Sequence, residues 1–277
     1  MGMRISTNVS AINAQRTMVN SQRDISKSMS QLASGSRINK AADDAAGLAI
    51  SENLKSQIRS LGQAGRNAND GISMVQTAEG GLSEISNILT RMRELGVQAS
   101  SDTVGESERG FLDKEVQQLK AEAQRITQTT RFGTTKLLDG SGDKFDFQVG
   151  INNDAESDRI SFNAGETDAT IDSLGIASFD FSSKEGAQDA LEQVDKAQSQ
   201  VNGYRASLGA LQNRLQSTVD NLGVQHENIS AANSRIRDTD VAAASAEATR
   251  NQVLLQANTS VLAQANSMPN AALKLIG

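Results

Sequence analysis

Residues 194–236 read "VDKAQSQVNGYRASLGALQNRLQSTVDNLGVQHENISAANSRI", and the stretch repeats on a single period. Val194, Val201, Leu208, Leu215, Leu222, Ile229 and Ile236 follow one another at seven-residue steps without a miss. Three residues behind the first six stand Ala197, Tyr204, Leu211, Thr218, Gln225 and Ala232. A line that is apolar at its first position and mixed at its second is the seam of a coiled coil, which needs a second helix to cover it.

That partner lies upstream. Leu54, Ile58, Leu61, Gly65, Ala68, Ile72 and Val75 alternate steps of four and three, and the pattern resumes at Ala78, Leu82, Ile85, Leu89, Met92, Gly96 and Ala99. Between Val75 and Ala78 one four-step is skipped, a stammer that overwinds a coil locally. "EGG" at 79–81 stands beside it. From Asp44 to Ala99 such a helix is about 80 Å long at a rise of roughly 1.5 Å per residue. A shorter helix follows "SSDTVGESE", with Leu112, Val116, Leu119, Ala123 and Ile126 on one stripe.

Between residues 139 and 186 the period changes to two. "KFDFQVG" alternates Phe145, Phe147 and Val149, and "DRISFNAG" offers Ile160 and Phe162, with Gly, Asn and Asp between them. This is the signature of a small β-hairpin region.

Each end carries a single apolar stripe. Ile5, Val9, Ile12 and Val19 precede Ile25, Met29 and Leu32 with a shift of phase, and Leu254, Val261, Met268 and Leu275 recur at seven-residue steps. Pro269 is expected to kink or end the last helix. A helix with one stripe and no core of its own does not offset the entropy of ordering, so both ends need a neighbour to cover them. The expected fold is mainly α: a long antiparallel coiled-coil rod with a small β-hairpin region at one end. Residues 1–43 with 238–277 form a terminal-helix domain. Residues 44–138 with 187–237 form a rod domain, and 139–186 its hairpin segment.

Composition narrows the function. The chain has 277 residues, no cysteine, no tryptophan and one proline. No disulfide scaffold or thiolate metal site is available to it. All eight aromatic residues lie between Phe111 and Tyr204, so the outer portions pack with small aliphatic side chains. Residues 1–42 hold six cations against Asp24 alone, within a chain whose net charge is −6. Those cations are spaced out and have no aromatic beside them, which suits a partner-facing helix rather than nucleic acid. No apolar run of about 18 residues offers a membrane span, and the N-terminus lacks the pattern of a cleaved secretory signal.

The candidates for chemistry resolve into architecture. Asp43 and Asp44, in "INKAADDAAGLAIS" (38–51), raise the question of a metal or acid–base pair. Neither a DxDxDG loop nor a neighbouring histidine supports one. Asp43 is placed to N-cap the long helix, and Asp44 to oppose the positive end of its dipole in the first turn. His226 is the sole histidine, and "QHENIS" lacks the second histidine of HExxH. Phosphate loops, nucleophile elbows and paired nucleophile–base motifs are absent, so no catalysis and no cofactor are expected. In "LTRMRELGVQAS" (89–100), Arg91, Arg93 and Glu94 lie off the apolar stripe. Taken alone they make a solvated helix face with local ion pairs.

Several of these segments resemble a known family. "SGSRINKAADDAAGLAIS", "GRNANDGISMVQTAEGGLSEI" and "RMRELGVQAS" resemble the N-terminal region of bacterial flagellin. "LGALQNRLQSTVDNL", "ISAANSRIRDTDVAAASAEATRNQVLLQA" and "SVLAQANSMPNAAL" resemble its C-terminal region. The likeness covers about residues 3–138 and 187–276 and lacks the large outer domains of many flagellins. It implies a structural subunit that self-assembles into the extracellular flagellar filament for motility. Export would be by the flagellar type III route, through an uncleaved N-terminal signal. Implied partners are other copies of itself, an export chaperone, the filament cap and hook-junction proteins, and a Toll-like innate immune receptor, with no nucleic acid and no membrane insertion. The family's receptor or subunit contact maps onto Arg91, Leu95 and Glu122, with Gly96 where alanine is usual. The alternatives are a hook–filament junction protein of the same superfamily and a secreted helical ligand or adhesin.

Overall fold

A computed structural model describes residues 7–273, and side chains through residue 268. In chain order the elements are α1 (Val9–Ser34), α2 (Ala45–Ala99), α3 (Glu106–Thr129), β1 (Arg131–Phe132), β2 (Thr135–Lys136), β3 (Lys144–Gln148) and β4 (Arg159–Asn163), then a 3-10 turn (Ala164–Glu166), α4 (Lys184–Arg237) and α5 (Val241–Leu273). The protein is mainly α with two small antiparallel strand pairs. It divides into two compact units, Met1–Gln57 with Asn228–Gly277, and Ile58–Glu227. The breaks fall inside α2 and α4 rather than at the 43/44 and 237/238 junctions expected from the sequence.

In the first unit, loop hydrogen bonds explain why the start of α2 and the end of α4 stay with the terminal helices. The Thr239 N–H donates to Gly35 O at 2.9 Å and the Arg37 guanidinium to Ile236 O at 2.9 Å. Arg237 forms an ion pair with Glu52, and Ile38 is fully buried. Gly35 ends α1 in the left-handed conformation, φ 67°, that a helix C-terminus favours and glycine adopts without strain. Asp44 is the N-cap of α2: its Oδ1 accepts from the Gly47 N–H at 2.8 Å and its carbonyl from the Leu48 N–H at 3.0 Å. Asp43 does not cap the helix. Its Oδ2 instead accepts the Asn39 and Lys40 N–H groups at 3.1 and 3.0 Å, closing the preceding turn.

α1 and α5 pack antiparallel, as Asn8 against Ala265 and Ser21 against Asn258 show. Their seam is not the apolar stripe read from the sequence. Ala14, Ser21 and Ser28 are the buried residues of α1, and Ala244, Asn251 and Ala265 those of α5, all on seven-residue spacing. Met18, Ile25, Leu32, Leu255 and Leu262 flank this seam half-buried. Val9, Ile12, Val19 and Met29 stand 50–59% exposed, and Leu254, Val261 and Met268 46–54%. Ile5 and Leu275 lie outside the described residues. α5 does not end at Pro269 but continues to Leu273.

The second unit has a large-residue core. Here α2 and α4 run antiparallel: Arg93 meets Asp195 at 2.6 Å, Ser86 meets Gln198 at 2.6 Å, and Glu79 meets Arg205 at 3.2 Å. Val194, Val201, Leu208, Leu215 and Leu222 are buried, as are Leu61, Ala68, Val75, Leu82, Leu89 and Met92 of α2. Ile229 and Ile236 continue the period in the first unit, half-buried. α2 remains helical through the stammer. A Cβ on Gly81 would stand 2.7 Å from both Leu138 Cδ1 and Thr130 Oγ1. The glycine there admits the chain that follows α3. α3 packs back on α2 through Val116 and Ala123, with the buried Arg109 donating to Ala99 O at 2.8 Å and so closing the intervening turn.

β3 and β4 form the expected antiparallel hairpin, with Phe145 opposite Phe162 and Phe147 opposite Ile160. Asn67 Nδ2 donates to Gln148 O at 2.9 Å, which ties the hairpin to α2. β1 and β2 were not foreseen. Two residues each, they are joined at Gly133 (φ 61°). Beyond the 3-10 turn the hairpin region gives way to irregular chain. Phe179 and Phe181 are buried and stacked with centroids 5.5 Å apart. Their backbone is bonded to side chains of α3 instead of a sheet. Asp113 accepts the Phe181 N–H at 3.0 Å, and Lys120 Nζ donates to Ala177 O and Phe179 O. Burial holds the Lys120 ammonium below its ordinary value.

Candidate assembly surfaces

Three groups of residues singled out in the sequence meet different fates. The first is Arg91, Leu95 and Glu122, which the structure does not bring together. Arg91 is exposed on α2 and bridges Glu94 at 3.0 Å and Glu115 of α3 at 2.9 Å. These bonds, that to Glu94 first, raise its already high pKa. Glu122 lies two turns beyond Glu115, about 10 Å along α3 at helical rise. It pairs with Arg125 at 2.6 Å, and this bond lowers its pKa. Leu95 is 1% exposed and part of the core, so its side chain offers no surface to a partner within this fold. Glu115, not singled out from the sequence, is the acidic group opposite Arg91. The α2–α3 turn centres near residue 103, which places residue 91 opposite residue 115, so register alone carried the signal.

Gly96, one residue on, is tightly surrounded. A Cβ there would stand 2.9 Å from Leu191 Cδ2 and 3.3 Å from the Phe181 ring. The space of the alanine methyl usual at this position is taken by Leu191. On the outer side of α3, Phe111 is 67% exposed with Lys114 Nζ 5.6 Å above its ring.

The second group is the Asp43–Asp44 pair. Asp44 starts α2, while Asp43 holds the turn before it and lies 3.8 Å from Lys27. The Lys40 N–H, then that of Asn39, keeps the Asp43 carboxyl below the usual aspartate value. One oxygen of each carboxylate, Asp43 Oδ2 and Asp44 Oδ1, is committed to backbone N–H groups, as suits a joint. Among the described residues no three His, Cys, Asp or Glu side chains are grouped to hold a metal. No described helix is long and apolar enough to cross a membrane.

The third group is the terminal stripe. Leu254, Val261 and Met268 recur on one line of α5 and point away from the α1 seam, while α1 leaves Val9, Ile12 and Val19 uncovered. Val253 and Val241, 59% and 60% exposed, add to the same helix. An exposed apolar line is a candidate interaction surface, because water penalises apolar area by about 25 cal/mol per Å². The fold therefore defines a mainly helical protein with exposed apolar lines on its terminal helices.

Comparison with known proteins specifies which. The model of the bacterial flagellin N-terminal helical region matches residues 5–143, and that of the flagellin C-terminal helical region matches 191–276. Flagellin of Halalkalibacterium halodurans is 46% identical over 274 residues, which is 99% of this chain and 100% of that protein. The flagellar filament core protein flaB2 of Brachyspira hyodysenteriae is 42% identical over 288 residues, again spanning 99% of this chain and 100% of that one. The crystal structure of Bacillus cereus flagellin matches at a TM-score of 0.51 and 32% identity, over 61% of this chain and 94% of that one. A putative flagellar hook-associated protein from Vibrio parahaemolyticus shares the fold, with a TM-score of 0.59 at 14% identity. The chain belongs to the bacterial flagellin family, the structural proteins of the flagellar filament.

Proposed function

We propose that this chain polymerises through the outward stripes of α1 and α5, which copies of itself cover to form the inner tube of the filament. The observation that carries this reading is the inversion of the terminal pair: small and polar residues sit inside while valine, leucine and methionine sit outside. A lone chain gains nothing from that arrangement, and a polymer gains the burial of every exposed stripe. The chain works by packing and not by catalysis. It is exported by the type III route, meets a chaperone before assembly, and is bounded in the filament by cap and hook-junction proteins. Any Toll-like receptor contact near α2 and α3 would be carried by exposed Arg91 with Glu94 and Glu115, since Leu95 is core and Glu122 is engaged elsewhere.

The test is seeded polymerisation of purified chain, followed by light scattering and electron microscopy. Filaments form from the full chain. Deletion of residues 240–277 abolishes them while the helical signal of the second unit persists. Filaments built by the truncated chain would overturn the assignment. Abundance along sheared filaments distinguishes a bulk subunit from a junction protein present in few copies.

A further inference from the structure

The seam of α1 against α5 poses a problem of register. Ala14, Ser21 and Ser28 recur every seven residues, as do Ala244, Asn251, Asn258 and Ala265 opposite them. Sliding one helix by a heptad would exchange small side chains for others of nearly the same size. Large interdigitating residues would forbid such a slip; these do not. The Ser36–Asp238 bridge and the Thr239 N–H bond to Gly35 O anchor the pair at the joint; the far end, where Asn8 meets Ala265, needs an anchor of its own.

Two features at the end of the pair meet at one atom. Pro269 is the only proline of the chain and lies within α5. Having no N–H, it leaves the carbonyl of the residue four positions earlier, Ala265, without its helical partner. Ala265 is 5% exposed, and a buried carbonyl left unpaired costs free energy. Asn8 Nδ2 donates to that same oxygen at 2.7 Å. The other end of the Asn8 amide, Oδ1, accepts the Ala11 N–H at 3.0 Å and N-caps α1.

We propose that Asn8 and Pro269 form a register latch. The proline frees a single acceptor along α5, and the asparagine that begins α1 is the donor that finds it. No other α5 carbonyl in the described helix is freed this way, because no other proline is present. A seven-residue slip would therefore strand Ala265 O and unpair Asn8 Nδ2 together. This concerns alignment within one chain and does not depend on how the chain associates.

Because the chain contains no cysteine, disulfide trapping reads the register directly. Ser21 Oγ and Asn258 Nδ2 are 3.3 Å apart, so the full chain carrying Ser21→Cys with Asn258→Cys reports the native alignment. Ser21→Cys with Asn251→Cys, or with Ala265→Cys, reports a slip of one heptad in either direction. In glutathione buffers the native pair is expected to dominate. Asn8→Asp keeps the capping oxygen but loses the donor. It should lower the ratio of the native pair to the slipped pairs by about fivefold, the equilibrium worth of one hydrogen bond. Pro269→Ala returns an N–H to Ala265 O, and in that background Asn8→Asp should have no effect on the pairs. An equal effect of Asn8→Asp with and without the proline would overturn the latch, as would no effect in the parent or no trapping of the native pair.

Discussion

Two antiparallel helix pairs in this chain follow the same seven-residue geometry with opposite chemistry. In the Ile58–Glu227 unit, valine and leucine at the repeating positions of α4 meet the aliphatic stripe of α2, and the interior is closed by α3 and the hairpin. In the terminal unit the repeating positions are alanine, serine and asparagine, and the large apolar residues face outward. The heptad fixes which line of a helix meets its partner; it does not decide whether that line carries most of the hydrophobic free energy. The first pair uses its apolar surface to fold. The second leaves its apolar surface exposed, which is the division of labour that the proposed polymer contact requires.

The sharpest way to break this comparison is to truncate the interior of each pair. Leu208→Ala, at a residue 2% exposed, should cost about 2–5 kcal/mol through lost burial and the cavity left behind. Ser28→Ala at the corresponding kind of position in α1 should change stability by less than about 1 kcal/mol, since alanine is the better helix former. Urea unfolding of both variants checks the contrast, and equal losses would mean that the terminal seam is as demanding as the inner one. The outward stripe supplies the converse. Leu254→Ser combined with Val261→Ser should leave the unfolding of the unassembled chain within about 0.5 kcal/mol of the parent. Each side chain withheld from an interface forfeits about 1.5–3 kcal/mol. The critical concentration for polymerisation should therefore rise by at least about 100-fold, measured by sedimentation.

Much of this fold was legible because periodicity is geometry. Seven-residue steps marked the buried line of α4 through Leu222, the four-three alternation marked that of α2, and period-two alternation marked the strands β3 and β4. The terminal seam went unread because hydrophobicity was followed where side-chain size decides. The steps of Ala14, Ser21 and Ser28 were equally regular, but small and polar residues do not announce burial. Phe179 and Phe181 carried no reading in the sequence: Lys120 and Asp113, some sixty residues away, hold that backbone, and no local pattern announces such contacts. Around Arg91 the resemblance pointed to Leu95 and Glu122, whereas the reversal at residues 100–105 puts Glu115 opposite. At the joint before α2, adjacent aspartates offered two candidate caps, and only the path of the backbone chooses Asp44.

That joint separates two small effects. Asp44→Ala should remove about 0.5–2 kcal/mol by exposing the first turn of α2, seen as faster hydrogen exchange at Gly47 and Leu48. Asp43 acts on the turn alone and through its charge. Because its carboxyl titrates below the unfolded aspartate value, it stabilises the native turn fully above about pH 3.9. The contribution is lost as pH falls through the lower native value, where the protonated group accepts the Lys40 and Asn39 N–H bonds less well. Amide shifts of Asn39 and Lys40 should follow a single titration centred below pH 3.9. Asp43→Asn should abolish the titration at both amides and leave the start of α2 unchanged. Faster hydrogen exchange at Gly47 and Leu48 in Asp43→Asn would mean the two carboxylates act as one unit, and the separate assignment of cap and turn would fail.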